Sequence, residues 1–110
     1  MSYSIIPTHR FEKELKRLAK KFPSLKNEFA ELIAEISENP EAGTFIGNNC
    51  YKIRLAIASK GKGKRGGARV VTHLYIATET VYLLTIYDKG EKTDLKPNEL
   101  KEMIENLELD

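Results

Sequence analysis

Three features of the chain predict an α+β fold of element order β-α-α-β-β-β-α, a small antiparallel-rich sheet with an N-terminal helical hairpin on one face and a C-terminal helix. Apolar residues recur at helical spacing near both ends of the chain. Between Tyr51 and Tyr87 the period drops to two. The length of 110 residues supplies one modest core and not two, so residues 1–110 are expected to form a single domain.

Each element follows from its own pattern. YSIIP, Tyr3 to Pro7, reads as a short opening strand. Phe11, Leu15, Leu18, Ala19 and Phe22 share one face of a first helix. FPSLK interrupts the spacing, and Leu25, Phe29, Leu32, Ile33 and Ile36 resume it until Pro40 and Gly43 end it. The resulting hairpin carries mixed Lys, Arg and Glu on its outer faces, the usual composition of a solvated surface. From Tyr51 a strand sets Ile53, Leu55 and Ile57 against Lys52, Arg54 and Ala56. ARVVTHLYIA and TVYLLTIY follow as two strands turning around Thr78 to Thr80. Leu100, Met103, Ile104 and Leu107 form the stripe of a closing amphipathic helix, opened by Pro97. Such a sheet covers its apolar face with helices and leaves the other face open.

The net charge of +2 hides an uneven layout. No Asp or Glu lies between Glu41 and Glu79, where Lys52, Arg54, Lys60, Lys62, Lys64, Arg65 and Arg69 contribute +7. Residues 79–110 set four lysines against nine acids. The centre of the block, SKGKGKRGGAR from Ser59 to Arg69, is a flexible basic loop. On strand parity Arg69, Val71, His73 and Tyr75 share one face, and Val81, Leu83, Thr85 and Tyr87 share another run. Arg69 and Tyr87 are therefore expected beside Lys52 and Arg54 on the open face, with the loop at its rim; a one-residue bulge would reverse a parity.

Several function classes fall away. One cysteine, Cys50, excludes an internal disulfide framework and a CxxC zinc site; it predicts a structural role in a reducing, cytoplasmic compartment. No apolar run resembles a signal peptide or a membrane span, so no membrane partner is expected. The block holds no carboxylates to bind a pair of metal ions, and neither metal nor cofactor is predicted. GKGKRG, Gly61 to Gly66, matches G-x-G-x-x-G, but the chain then enters a strand where a dinucleotide site needs a helix. Walker A fails as well, because Gly67 and Ala68 stand where Lys and Ser or Thr are required.

What survives is a loop whose lysines and backbone N–H groups can close around phosphates. An arbitrary lysine-rich loop is more often a solvated connection. Here the missing acids, the continuation of cations onto strand faces, and Arg69 within a packed strand favour an extended polyanion. Tyr87 either caps the sheet edge or takes part in proton transfer. His73 reads as a packed or surface strand residue, and His9 lies at the start of the first helix, so no catalytic histidine pair is expected.

The stretch YKIRLAIASKGKGKRGGARVV, followed by VYLLTIYDKGEKTDL, resembles the RelE/ParE superfamily of toxins from bacterial toxin–antitoxin pairs, and most closely its HigB-like branch. The element order of the whole chain agrees with a RelE-like fold. The resemblance implies a ribosome-dependent endoribonuclease that cuts messenger RNA, with Arg54, Lys60, Lys62, Arg69 and Lys89 as the functional cations. It implies RNA or ribosome contacts for Lys52, Lys64 and Arg65. Family members carry a tyrosine or histidine near the C-terminus where this chain has KTDLKPNEL, which leaves the general base open between Tyr87 and a loop lysine. The implied partners are a cognate antitoxin of the helix-turn-helix, HigA-like kind, the ribosome and its message, and operator DNA only through the antitoxin.

The chemistry suits these residues. RNA supplies its own nucleophile, the 2′-hydroxyl, so an enzyme need only align it, stabilise the developing charge and move protons. Arginine clamps phosphate oxygens bidentately, which assigns stabilisation to Arg54 and Arg69. Proton transfer falls to Lys60, Lys62 or Tyr87. The alternatives are a ParE-like, non-catalytic inhibitor of DNA gyrase and a plain RNA-binding module; only catalysis requires the cations in one cluster.

Overall fold

A computed structural model describes residues 3–60 and 66–107. In chain order the elements are β1 (Ser4–Pro7), α1 (His9–Lys21), α2 (Leu25–Glu38), β2 (Thr44–Gly47), β3 (Cys50–Leu55), β4 (Ala68–Tyr75), β5 (Thr80–Asp88) and α3 (Glu99–Glu105). They form one mixed sheet in the order β1-β5-β4-β3-β2, with β1 parallel to β5 and the other pairs antiparallel.

The expected order holds with one strand added. Asn48 and Asn49 adopt φ of 51° and 57°, the two left-handed residues of a type I′ hairpin, and close β2 onto β3 with Gly47 opposite Cys50. A strand of four residues ending in Gly47 gives little period-two signal, so a strand beginning at Tyr51 misses it. Gly43 makes the entry possible. It sits at φ +97°, and a Cβ there would meet the Lys52 carbonyl oxygen at 2.5 Å.

The helical hairpin covers one face as its spacing requires. Phe11, Leu18, Leu25, Leu32 and Ile36 pack with Ile53, Val70, Leu74, Val81, Leu83 and Ile86 in the main core. Thr8 fixes the first helix to the sheet: its Oγ1 accepts from the Phe11 N–H at 3.2 Å and donates to the Leu83 carbonyl at 2.9 Å. Truncating a fully buried aromatic such as Phe11 to Ala typically costs about 3–5 kcal/mol.

The other face is not open. α3 lies on it, and Met103 buries Cys50, Val71, Leu84 and Tyr87 beneath a second cluster to which Leu95, Leu100, Ile104 and Leu107 contribute. A bulge also corrects the parity of the last strand. Val71 pairs with Thr85 and Thr72 with Leu83, which leaves Leu84 unopposed. Val81 and Leu83 therefore face the hairpin, while Tyr87 faces α3. Glu14 of α1 braces the bulge by accepting from Thr85 Oγ1 at 2.6 Å and the Ile86 N–H at 3.3 Å. Cys50 packs here beside His73, Sγ to Nδ1 3.4 Å. Burial pushes the thiol up to about 12 and the imidazole below its ordinary value, so both are neutral, packed groups.

Candidate functional site

Register places three of the expected residues in a row. Arg54 of β3, Arg69 of β4 and Tyr87 of β5 are direct cross-strand partners, and Tyr87 packs on the α3 side of the sheet. Lys52 stands one row inward, opposite Val71. The row lies where β3 leaves for the basic loop and β4 returns from it. Gly67 closes the return: a Cβ there would lie 2.1 Å from the Leu55 carbonyl oxygen, and the Gly67 carbonyl accepts the Lys89 N–H at 2.9 Å.

Exposure differs from the sequence expectation. Arg54 is exposed, but Arg69 and Tyr87 are each only 5% accessible. The reason is position: β4 and β5 are inner strands, and the chain after β5 folds back over their ends. Arg69 Nη1 donates to the Ala68 carbonyl at 3.1 Å. Arg54 borders a cleft shared with Glu28, Glu31 and Glu35 of α2.

Tyr87 carries a buried hydroxyl with no hydrogen-bond partner among the described residues. Burial first, and then the charge of Asp94, push its phenol above the ordinary tyrosine range against the pull of Arg69. The group is therefore a proton donor, not a ready base. The Lys92 ammonium sits over its ring, 5.6 Å from the centroid.

The acids missing from the basic block return through the fold. Asp94 accepts from Lys52 Nζ at 3.1 Å. The Leu95 N–H, then Lys52, hold its carboxyl below the usual carboxylate range, with Lys89 contributing. Lys89 itself donates to the Thr93 carbonyl at 3.0 Å, so it belongs to the same rim. Glu99 gathers Lys92 at 2.5 Å, Arg10 at 2.6 Å and the Lys96 N–H at 2.8 Å. Burial opposes its ionisation, yet these donors bring it down to about 2.

Lys60 is not brought to this row. It lies on the hairpin side of the sheet, bonded to the Asp88 carboxylate and 5.8 Å from the centre of the Phe22 ring. Asp88, only 2% exposed, also receives the Gly90 N–H at 2.9 Å and faces Lys21 at 3.8 Å. The alternation of β5 explains the separation, because Tyr87 and its neighbour Asp88 must point to opposite faces. Lys62, Lys64 and Arg65 lie outside the described residues.

Sequence reasoning missed Lys92, Asp94 and Glu99. Their one signal was the acid-rich composition of residues 79–110, which marks a segment able to answer a cationic block. Among the described residues no three His, Cys, Asp or Glu side chains converge as metal ligands, and no helix is long and apolar enough to cross a membrane. The row offers guanidinium donors and a phenol at adjacent positions, an arrangement suited to gripping and protonating phosphate oxygens.

A family model described as the RelE toxin of the RelE/RelB toxin–antitoxin system matches residues 10–107. Among solved structures, a mutant of the E. coli toxin RelE in the free state is similar with a TM-score of 0.62 and 21% identity, covering 84% of this chain and 90% of that one. The toxin–antitoxin complex RelBE2 from Mycobacterium tuberculosis gives 0.58 and 18%, covering 80% and 99%. The intact E. coli RelBE complex gives 0.59 and 22%, covering 79% and 96%.

Proposed function

The chain belongs to the RelE toxin family, and on that premise we propose that it is a ribosome-dependent endoribonuclease that arrests translation by cutting messenger RNA. One observation carries the reading: Arg54, Arg69 and Tyr87 stand as cross-strand partners beside the basic loop. A ParE-like protein that docks on gyrase needs no such cluster, and a plain RNA-binding module needs no phenol among its cations.

In the proposed reaction the 2′-hydroxyl oxygen of the message attacks the adjacent phosphorus and the P–O5′ bond breaks. The products are a 2′,3′-cyclic phosphate and a 5′-hydroxyl end. Arg54 and Arg69 stabilise the charge that develops on the non-bridging oxygens. Tyr87, held protonated by its burial, is the candidate donor to the departing 5′-oxygen, a step that requires the segment carrying Leu95, Leu100 and Met103 to move off its hydroxyl. The 2′-hydroxyl proton passes to a base in the loop, for which Lys62 is the chain's candidate; Lys60 instead anchors the loop's first residue through Asp88. The ribosome supplies alignment, an effect that reaches about 7–11 kcal/mol in well-oriented reactions.

A HigB-like assignment and a HigA-like, helix-turn-helix antitoxin belong to the same proposal. They are supported by the quoted sequence resemblance, while the antitoxin itself is supported by the toxin–antitoxin complexes among the structural neighbours. Arg69→Lys and Arg69→Ala test the site by primer extension on ribosome-bound message. The lysine keeps charge and aliphatic bulk but loses the fork, so both variants should lose about a hundredfold in cleavage rate. Parental cleavage by a folded Arg69→Ala protein would remove the site.

A further inference from the structure

Ser24 stands at the N-cap of α2, yet its side chain makes no capping bond to that helix. A serine there ordinarily accepts from an N–H of its own first turn. Here the hydroxyl turns to the chain that leaves β3. Ser24 Oγ accepts from the Ser59 N–H at 2.9 Å and lies 2.8 Å from Ser59 Oγ, while the Ser24 N–H donates to Ser59 Oγ at 3.2 Å. Each serine thus receives the other's backbone N–H. Glu28, one turn along α2, accepts from Ser24 Oγ at 3.1 Å on one carboxylate oxygen and from the Ala58 N–H at 2.7 Å on the other. The protons balance, because Ser24 gives its hydroxyl proton to Glu28 and Ser59 gives its own to Ser24.

These bonds fall on consecutive residues. Ile57 is buried in the main core, Ala58 and Ser59 are held by α2, and Lys60 is held by Asp88 and by its N–H to the Ile57 carbonyl at 3.0 Å. The chain entering the basic loop is fixed as far as Lys60. Burial does not demand this, since Ala58 and Ser59 are exposed and water would satisfy their N–H groups.

We propose that Ser24, Glu28 and Ser59 form a clasp that positions the root of the basic loop beside the Arg54–Arg69–Tyr87 row; the inference rests on the ribonuclease reading above and makes all three positioning residues for cleavage. None of them needs to touch the message. Their contribution is to the rate at saturation, because a misplacement of about 1 Å can cost about a hundredfold even where binding is kept.

The test compares Ser24→Ala, Ser59→Ala and the double variant with the parent, all as full chains, by cleavage of message on translating ribosomes and by amide hydrogen exchange. Each alanine should lower kcat about tenfold with KM unchanged and melting like the parent. The double variant should lose no more than either single one, since the two hydroxyls act as a unit. Ser59→Thr, which keeps the hydroxyl, should restore the parental kcat. The Lys60 amide bonds to Ile57 and not to the clasp, so about tenfold faster exchange there in Ser24→Ala would report that the chain itself has loosened. Parental kcat in both alanine variants overturns the inference, as does a raised KM with kcat unchanged, which would make the serines binding contacts. A parent that cuts no message refutes the ribonuclease reading instead; the clasp then stands or falls on exchange, and a parental rate at the Lys60 amide in Ser24→Ala overturns it.

Discussion

Glu99→Gln should loosen the cover over the candidate site by a calculable amount. Glu99 opens α3 and accepts from Lys92, Arg10 and the Lys96 N–H, thereby tying the segment over Tyr87 to both α1 and its own helix. Its carboxyl falls from the ordinary 4.5 to about 2 in the folded chain, a displacement worth about 3 kcal/mol. The side chain is 13% exposed, so solvent screens little of it. The folded value is depressed, so this stability is complete above the unfolded value and is lost as pH falls toward the folded one. Urea unfolding of parent and variant should therefore differ by about 2–3 kcal/mol at pH 7 and by only about 1 kcal/mol at pH 3. Equal stability at pH 7, or a gap that stays constant down to pH 3, would refute the assignment of Glu99 as the anchor.

Tyr87→Phe removes a buried hydroxyl without a described partner; stability should hold within about 0.5 kcal/mol or rise, while cleavage falls about a hundredfold. Retained cleavage would free Tyr87 of the proton-donor role. Lys60→Met removes the nearest cation from the buried Asp88 carboxylate, leaving it the Gly90 N–H and the more distant Lys21, and should cost about 3 kcal/mol in urea unfolding, whereas Lys21→Met, from a half-exposed ammonium at 3.8 Å, should cost less than about 1 kcal/mol. Equal losses would contradict the anchoring role of Lys60. Neutralising Lys62, Lys64 and Arg65 together should lower the salt slope for single-stranded message by about 2, and an unchanged slope would make the loop a mere connection.

Periodicity carried the helices and inner strands because each buries one continuous face: Phe11 to Phe22, Leu25 to Ile36 and Leu100 to Leu107 all pack as their spacing requires. The Arg54–Arg69–Tyr87 row was legible only up to parity, since one bulged residue, Leu84, decides which way Tyr87 points. β2 was missed: its own four residues carry little signal, and the Asn48–Asn49 turn that marks it went unread. Burial of Arg69 and the pairing of Lys52 and Lys60 were not legible at all. The two pairings depend on Asp94 and Asp88 arriving from more than 25 positions away in sequence, and a linear charge count cannot see partners that the sheet order brings together.

The claim that the row cuts RNA through the substrate's own 2′-hydroxyl is settled by the ends of the fragments. Purified protein is incubated with message on translating ribosomes, in EDTA at a level that leaves the ribosomes intact, and in parallel with the same message free in solution. The account predicts cleavage on the ribosome, little in free solution, and 5′ fragments ending in a 2′,3′-cyclic phosphate or its 3′-phosphate hydrolysis product. Fragments ending in a 3′-hydroxyl, or growth arrest with intact message and stalled gyrase, would contradict it.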